Sequence, residues 1–265
     1  MTGAPGRALK RLRSLVHRFA RGTRAADLRA RSLRTDAATW TASRLGSSSV
    51  PRRPEGDWSA RIEARAAATQ NLGEQPLWSK YATVGDPGAP RRSGSRTSDD
   101  VRTSREMGRF FSWLVTDRRP SVVVEFGSAF GVSGMYWLSG LESNGEGRLL
   151  TFEPNETWAA IARGNLAAIG TRFDLTVGTF EDKVDGTLSP GERIDIAFID
   201  AIHTSEFVGP QFELVTARLS PGGLVLLDDI DFSPDMRSCW EKIRADRRLA
   251  ASVEVDRVGI VEFRQ

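Results

Sequence analysis

The chain has 265 residues, 40% of them apolar and 27% charged, with a formal net charge of +3. That is the balance of a globular domain long enough to bury a sizeable core. No apolar run approaches the roughly 20 residues that cross a bilayer, which excludes a transmembrane helix. The one cysteine, Cys239, excludes an internal disulfide and fits a reducing, cytoplasmic setting, where it reads as a small apolar filler.

The charge is unevenly placed. Residues 1–60 carry 13 Lys+Arg against 4 Asp+Glu, whereas residues 61–265 carry 24 against 30. The basic pI of about 9.4 therefore belongs to the N-terminal stretch, and the body offers no general surface for nucleic acid. Within that stretch Leu9, Leu12, Val16 and Phe19 fall at helical spacing, with Arg7, Arg11, Arg13, Arg18 and Arg21 mostly off the stripe. A basic amphipathic helix suits an anionic membrane surface, an organelle transit signal, or packing on another subunit, a second copy of the chain included. A secretory signal is not expected, because no compact apolar stretch follows the charges.

Residues 46–57 and 85–99 are rich in Gly, Pro, Ser and Arg and read as loops. Trp58, Leu72, Leu77, Trp78 and Tyr81 lie between them and suit either packing on the main body or a lid. The division expected is a basic arm over 1–57, a cap and loop over 58–104, and a catalytic domain over 105–265.

From residue 105 the pattern becomes regular. Met107, Phe111 and Leu114 mark a helix face, and apolar runs of strand length follow at 122–126, 149–153, 173–177, 194–200 and 224–228. Helical stretches separate them, one through Trp158, Ile161, Leu166 and Ala167, another through Phe212, Val215 and Leu219, with Pro210 expected to start or kink the latter. Such alternation predicts a doubly wound, Rossmann-like α/β sheet of seven strands, mostly parallel. Residues 252–255 and 258–263, separated by Asp256 and Arg257, read as a C-terminal antiparallel hairpin.

In such a sheet ligands bind beyond the carboxyl ends of the strands. The first strand runs into Glu125-Phe-Gly127-Ser128-Ala-Phe-Gly131-Val-Ser133, where glycines allow a tight turn and the next helix offers free N–H groups. The spacing is G-x-x-x-G, not the dinucleotide G-x-G-x-x-G. The second strand ends at Glu153, placed to accept ribose hydroxyls of a nucleoside. The third leads to Thr179 and Phe180, where a side chain could meet an adenine. The fourth ends at Asp200, three residues before His203, and the fifth at Asp228 and Asp229. Carboxylates at the tips of apolar strands suit a hard cation such as Mg²⁺, or else helix capping.

In this order VVVEFGSAFGVSG, LLTFEPN, GTFED, FIDAIH and LSPGGLVLLDD resemble the class I S-adenosylmethionine-dependent methyltransferases, over about residues 105–265. The resemblance implies that Glu125, Gly127, Ser128, Gly131 and Ser133 surround the methionine end of the cofactor, that Glu153 holds its ribose, and that Thr179 and Phe180 border its adenine. FIDAIH followed by LLDD is similar to metal-dependent O-methyltransferases of the catechol and macrocin types. This implies Asp200, Asp228 and Asp229 as Mg²⁺ ligands and Asp200 or His203 as the base acting on a hydroxylated small molecule. The catechol type carries an asparagine after the second acidic position, where this chain has Ile230, so the adjacent pair is nearer the macrocin type. A nicotinamide-dependent oxidoreductase, a hydroxylase on the same scaffold (as in cephalosporin hydroxylase) and a non-catalytic S-adenosylmethionine-binding partner are the alternatives.

Overall fold

The computed structural model describes residues 28–36, 39–46, 49–78 and 94–264. The Leu9–Phe19 stripe, Tyr81 and the loop through 85–93 lie outside them. The described elements are β1 (Ala30–Thr35), α1 (Trp40–Leu45), α2 (Asp57–Gln70), β2 (Gln75–Pro76), β3 (Ser95–Arg96), α3 (Ser98–Val101) and α4 (Arg105–Arg118). They continue with β4 (Val122–Phe126), α5 (Val132–Asn144), β5 (Arg148–Glu153), α6 (Glu156–Ala167), β6 (Phe173–Val177), α7 (Phe180–Lys183) and β7 (Ile194–Ile199). The chain closes with α8 (Ser205–Thr216), β8 (Leu219–Leu227), α9 (Pro234–Arg244), β9 (Leu249–Val255) and β10 (Val258–Phe263).

The main sheet runs β1-β9-β10-β8-β7-β4-β5-β6. β6, β5, β4, β7 and β8 are parallel, and β10 lies antiparallel between β8 and β9. Because successive strand side chains alternate between faces, each strand feeds two cores. On one face Val123, Leu149, Phe198 and Ile260 meet α1, α2, α4, α5 and α6. On the other Val124, Leu150, Ala197 and Val225 meet α7, α8 and α9. Rings tie the first layer together: Phe111 stacks on Trp137 at 4.2 Å and tilts on Phe198 at 4.9 Å. The expected α/β architecture, mostly parallel with a C-terminal antiparallel pair, is present.

Three details differ from the sequence expectation. The sheet has eight strands, because β1 pairs antiparallel with β9, from Ala30 opposite Val255 to Thr35 opposite Ala251. The separable arm therefore cannot extend to residue 57: Leu28, Leu45 and Val50 are all buried in the first core. Leu219, expected on the helix face, opens β8, while of the two places open to Pro210 it takes the one inside α8. Among the described residues no helix is long and apolar enough to cross a membrane.

A carboxylate fastens the N-terminal addition. Glu262 in β10 is 4% exposed and accepts hydrogen bonds from the backbone N–H groups of Trp40 (3.1 Å) and Thr41 (2.7 Å), the first turn of α1. Those donors have no partner within the helix, and the anion also suits the helix N-terminus. Replacing Glu262 with Ala is expected to lower stability by about 1–3 kcal/mol, the cost of buried donors left unpaired. Denaturant unfolding of the full chain measures this, and an unchanged midpoint would show that α1 does not depend on the sheet.

Candidate active site

The order in which the strands are laid down puts a crevice at one place. From β4 the chain moves outward to β5 and β6, then returns to the other side of β4 with β7. Ligands in open α/β sheets bind where the order reverses, beyond the carboxyl ends of those two strands. Here those ends are Phe126 and Ile199, followed by Gly127 and Asp200.

The two exits are pressed together. Asp200 donates its backbone N–H to the carbonyl of Phe126 at 3.2 Å. A Cβ on Gly127 would stand 2.3 Å from the Asp200 carbonyl oxygen, and Gly127 has φ +82°. Only glycine meets both conditions. The turn continues through Ala129 at φ 45° and Gly131 at φ 81°. A buried carboxylate holds the strained alanine: Glu153 accepts from the Ala129 N–H with one oxygen and from the Asn155 N–H with the other, each at 2.9 Å. Glu153, expected on the ribose, is thus also the clamp of the glycine turn.

The cavity beside this turn is lined by residues 127–130, Val132, Ser133 and Asp200, and across from them by Ser98, Val101, Arg102 and Thr103. Gly127, Ser128 and Ser133 line the cavity, and Gly131 lies in the same turn. Glu125 is not on its wall. It is wholly buried beneath, accepting from the Thr151 hydroxyl at 2.7 Å, and its Oε1 has no partner. Burial raises Glu125 to about 7, against the opposing pull of the Ser133 and Thr151 hydroxyls. Burial likewise raises Glu153 to about 7, against its two backbone donors. The Glu125 Oε1 beneath the turn and the buried Ser98 hydroxyl on the cavity wall have no hydrogen-bond partner, and the N-terminus of α5 offers free N–H groups beside them.

The opposite wall was missed by sequence reading. Thr97 and Asp100 cap α3 through the hydrogen bonds of Thr97 N and Oγ1 to the Asp100 carboxylate (3.0 and 2.9 Å). Arg102 then reaches both oxygens of Glu63 in α2 (2.6 and 2.8 Å), which also accepts from the Tyr136 hydroxyl at 2.6 Å. The signal available was the Thr-Ser-Asp-Asp capping pattern, hidden beside a Ser- and Arg-rich run that read as linker. Of the aromatic segment before it, Trp58 packs edge-on against Tyr136 at 6.0 Å, while Leu72 is exposed.

For Phe180 the adenine expectation needs correction. Thr179 is half-buried and caps α7, accepting from the Asp182 N–H at 3.3 Å. Phe180 is 1% exposed, with ring centroids 4.3 Å from Phe126 and 5.2 Å from Phe152. It is a core ring under the sheet and offers no free face to a ligand, because its two aromatic neighbours already cover it.

Asp200, His203, Asp228 and Asp229 do come together. His203 Nε2 lies 3.5 Å from Asp200 Oδ1 and 3.8 Å from Asp229 Oδ2. Its ring stands 5.4 Å from Phe232, which is 59% exposed. The fifth member was not anticipated. Arg257 donates to Asp228 Oδ2 at 2.7 Å and contacts Asp229 Oδ1 at 3.1 Å. Burial, then the charge of Asp228, pushes Asp200 well above the usual carboxylate range. Burial also raises Asp228, against the pull of Arg257. For Arg257 burial acts downward, but Asp228, Asp229 and Asp200 outweigh it and hold the guanidinium above its ordinary value.

This arrangement does not fit the expected Mg²⁺ site. Two of its three ligands, Asp228 and Asp229, already hold a guanidinium, and a second cation beside Arg257 would be repelled. Among the described residues no group of three or more His, Cys, Asp or Glu side chains is disposed to hold a metal.

Residues 124–230 match a family model described as a methyltransferase domain. No curated protein matches the chain. Among solved structures, the O-methyltransferase of tomaymycin synthesis from Streptomyces achromogenes, in complex with S-adenosylmethionine, is similar at 19% identity and a TM-score of 0.59, over 80% of this chain and 92% of that one. An O-methyltransferase from Bacillus cereus, in complex with S-adenosylhomocysteine, has 22% identity and a TM-score of 0.55 over the same shares. A Podospora anserina methyltransferase bound to S-adenosylhomocysteine has 18% identity and a TM-score of 0.52, over 80% of this chain and 98% of that one. The α/β fold is the one these methyltransferase structures share, and residues 124–230 carry the match to a methyltransferase domain.

The raised Glu125 sets a pH test. In the unfolded chain it ionises through the ordinary range, but in the folded chain only near pH 7. It therefore contributes stability below pH 4.5 that is lost as the pH rises toward 7 and beyond. Glu125→Gln mimics the protonated form, so its stability relative to the native chain should climb across that window, by up to roughly 3 kcal/mol. Denaturant unfolding of both proteins between these pH values measures the difference. A difference that stays flat with pH would show that Glu125 is ionised in the fold throughout.

Proposed function

We propose that this chain transfers the methyl group of S-adenosylmethionine to an oxygen of a hydroxylated small molecule. One observation carries the reading: Asp200 lines the cavity of the glycine turn and at the same time faces His203 across 3.5 Å. Cofactor pocket and acid–base pair thus share a residue, so an acceptor oxygen beside His203 stands next to whatever the turn holds. The matched methyltransferase domain and the neighbours described above support the same reading.

Residues 127–133 fit the methionine end of the cofactor, with Gly127 and Gly131 giving close backbone approach and Ser128 and Ser133 giving hydroxyls. Glu125 lies behind them as a buried carboxyl, Glu153 is assigned to the ribose, and Thr179 to the adenine side. When bound, the cofactor supplies a methyl group on a positively charged sulfur. The chain's part is chiefly positioning, holding acceptor oxygen, methyl and sulfur in line. His203 would take the hydroxyl proton while the new O–C bond replaces the methyl–sulfur bond and the sulfur leaves as a neutral thioether, with Asp200 and Asp229 beside the imidazolium. No metal has a part in this reading, because Arg257 already pairs with both Asp228 and Asp229. The acceptor would enter past Phe232.

S-adenosylhomocysteine is expected to raise the Tm of the native chain. Glu153→Ala should weaken that binding by about 1–3 kcal/mol, read against the variant's own unliganded Tm because Glu153 also braces the turn. Across a panel of hydroxylated small molecules, a methyl ether should appear by mass spectrometry. His203→Ala should then slow turnover by roughly 10²–10⁴-fold with S-adenosylhomocysteine binding intact. A native chain that S-adenosylhomocysteine does not stabilise would end the methyl-transfer reading.

A further inference from the structure

The β9–β10 hairpin brings an unexpected cation to the acidic tips of β7 and β8. β10 pairs with β8 so that Gly259 lies opposite Leu227. Continuing that register by two residues sets Arg257 opposite Asp229, and the Ile230 N–H indeed donates to the Arg257 carbonyl at 3.1 Å. Asp256, at φ 51°, makes the tight turn that aims the next residue back over the site. The guanidinium is thus placed by sheet pairing and not by a flexible loop. It bridges Asp228 and Asp229 with different terminal nitrogens, at 2.7 and 3.1 Å, and its side chain remains 31% exposed.

We propose that Arg257 is the resident cation of this cluster, holding the position that a divalent metal would take among Asp200, Asp228 and Asp229. The proposal rests on the active-site reading above for its place in the reaction, but not for its test. Three carboxylates at neighbouring strand tips repel one another unless a positive charge stands among them. A guanidinium supplies that charge permanently and offers five N–H donors in a planar fork, of which the two carboxylates use one from each terminal nitrogen. The remaining donors can meet an acceptor's oxygen. Arg257 is a positioning residue for Asp228 and Asp229, and its permanent charge makes added metal unnecessary. A merely structural latch for the hairpin would use the same two contacts, so the test must read cation occupancy and not stability alone.

Mn²⁺ binding to the full, chelator-treated chain, followed by isothermal calorimetry, reads that occupancy without any methyl transfer. The native chain is expected to show no saturable site up to roughly millimolar Mn²⁺, the weak end of protein cation sites. Arg257→Met should gain one site, about tenfold tighter or more than any native binding, because the acids lose their fixed counter-charge. Adding Asp229→Asn to that variant should abolish the gain. Should Arg257→Met not fold, the charge-retaining Arg257→Lys is expected to bind no Mn²⁺, like the native chain. Saturable Mn²⁺ binding by the native chain that disappears with Asp228→Asn or Asp229→Asn would overturn the proposal. So would a folded Arg257→Met that gains no site, or an Arg257→Lys that does. Methyl transfer could fail in every one of these proteins without altering the metal result, so the two readings fail separately.

Discussion

The carbonyl of Asp200 and the α-carbon of Gly127 are packed so closely that a side chain on residue 127 would overlap the oxygen. This contact joins the exits of β4 and β7 where the strand order reverses, and most of the site follows from it. The left-handed turn of Gly127 carries the chain into Ala129 and Gly131, which brings the N-terminus of α5 over the sheet edge. It also fixes the Asp200 backbone, so that the carboxylate lies on the cavity wall. A sheet buried on both faces lends the contact its rigidity, since neither strand can slide without moving a packed side chain into the opposite core.

Around that contact the protein gathers negative charge in low-dielectric surroundings. Glu125 and Glu153 lie beneath and beside the turn, and Asp200 and Asp228 stand at the strand tips. All four are pushed toward their neutral forms by burial. Such groups are costly when charged and unpaired. The structure meets the cost differently on the two sides. Backbone donors and hydroxyls serve the glutamates, while one guanidinium serves the aspartates.

The pieces outside the matched segment complete the domain. β1 extends the sheet beyond β9, Glu262 anchors α1 to that edge, and α2 braces the far wall of the cavity through Glu63, Arg102 and Tyr136. The wall carrying Ser98 and Thr103 is therefore held by ion pairs and hydrogen bonds to α2 and α5, and not by apolar packing of its own four-residue helix.

Much of this architecture was legible in the sequence. Apolar runs such as VVVEF and LLTFE are long enough for strands and too short for helices, and their alternation with helical periods leaves few arrangements besides a parallel sheet covered on both faces. Acids and glycines directly after those runs had to lie on one edge, which made Asp200, Asp228, Asp229 and the 127–133 turn readable as site candidates. Tertiary structure decided the rest. β1 is an edge strand with arginines along it, so no apolar alternation marked it, and its partner lies more than 200 residues away in sequence. Phe180 looked like a ligand contact from its place after a strand, but three rings compete for the same space and packing took it into the core. Arg257 was visible only as half of a turn. Which charges it meets depends on the antiparallel register between β10 and β8, and register is a long-range property that local periodicity does not encode. Periodic sequence determines which face of its own element a residue occupies; only the pairing of distant strands determines which residue stands opposite.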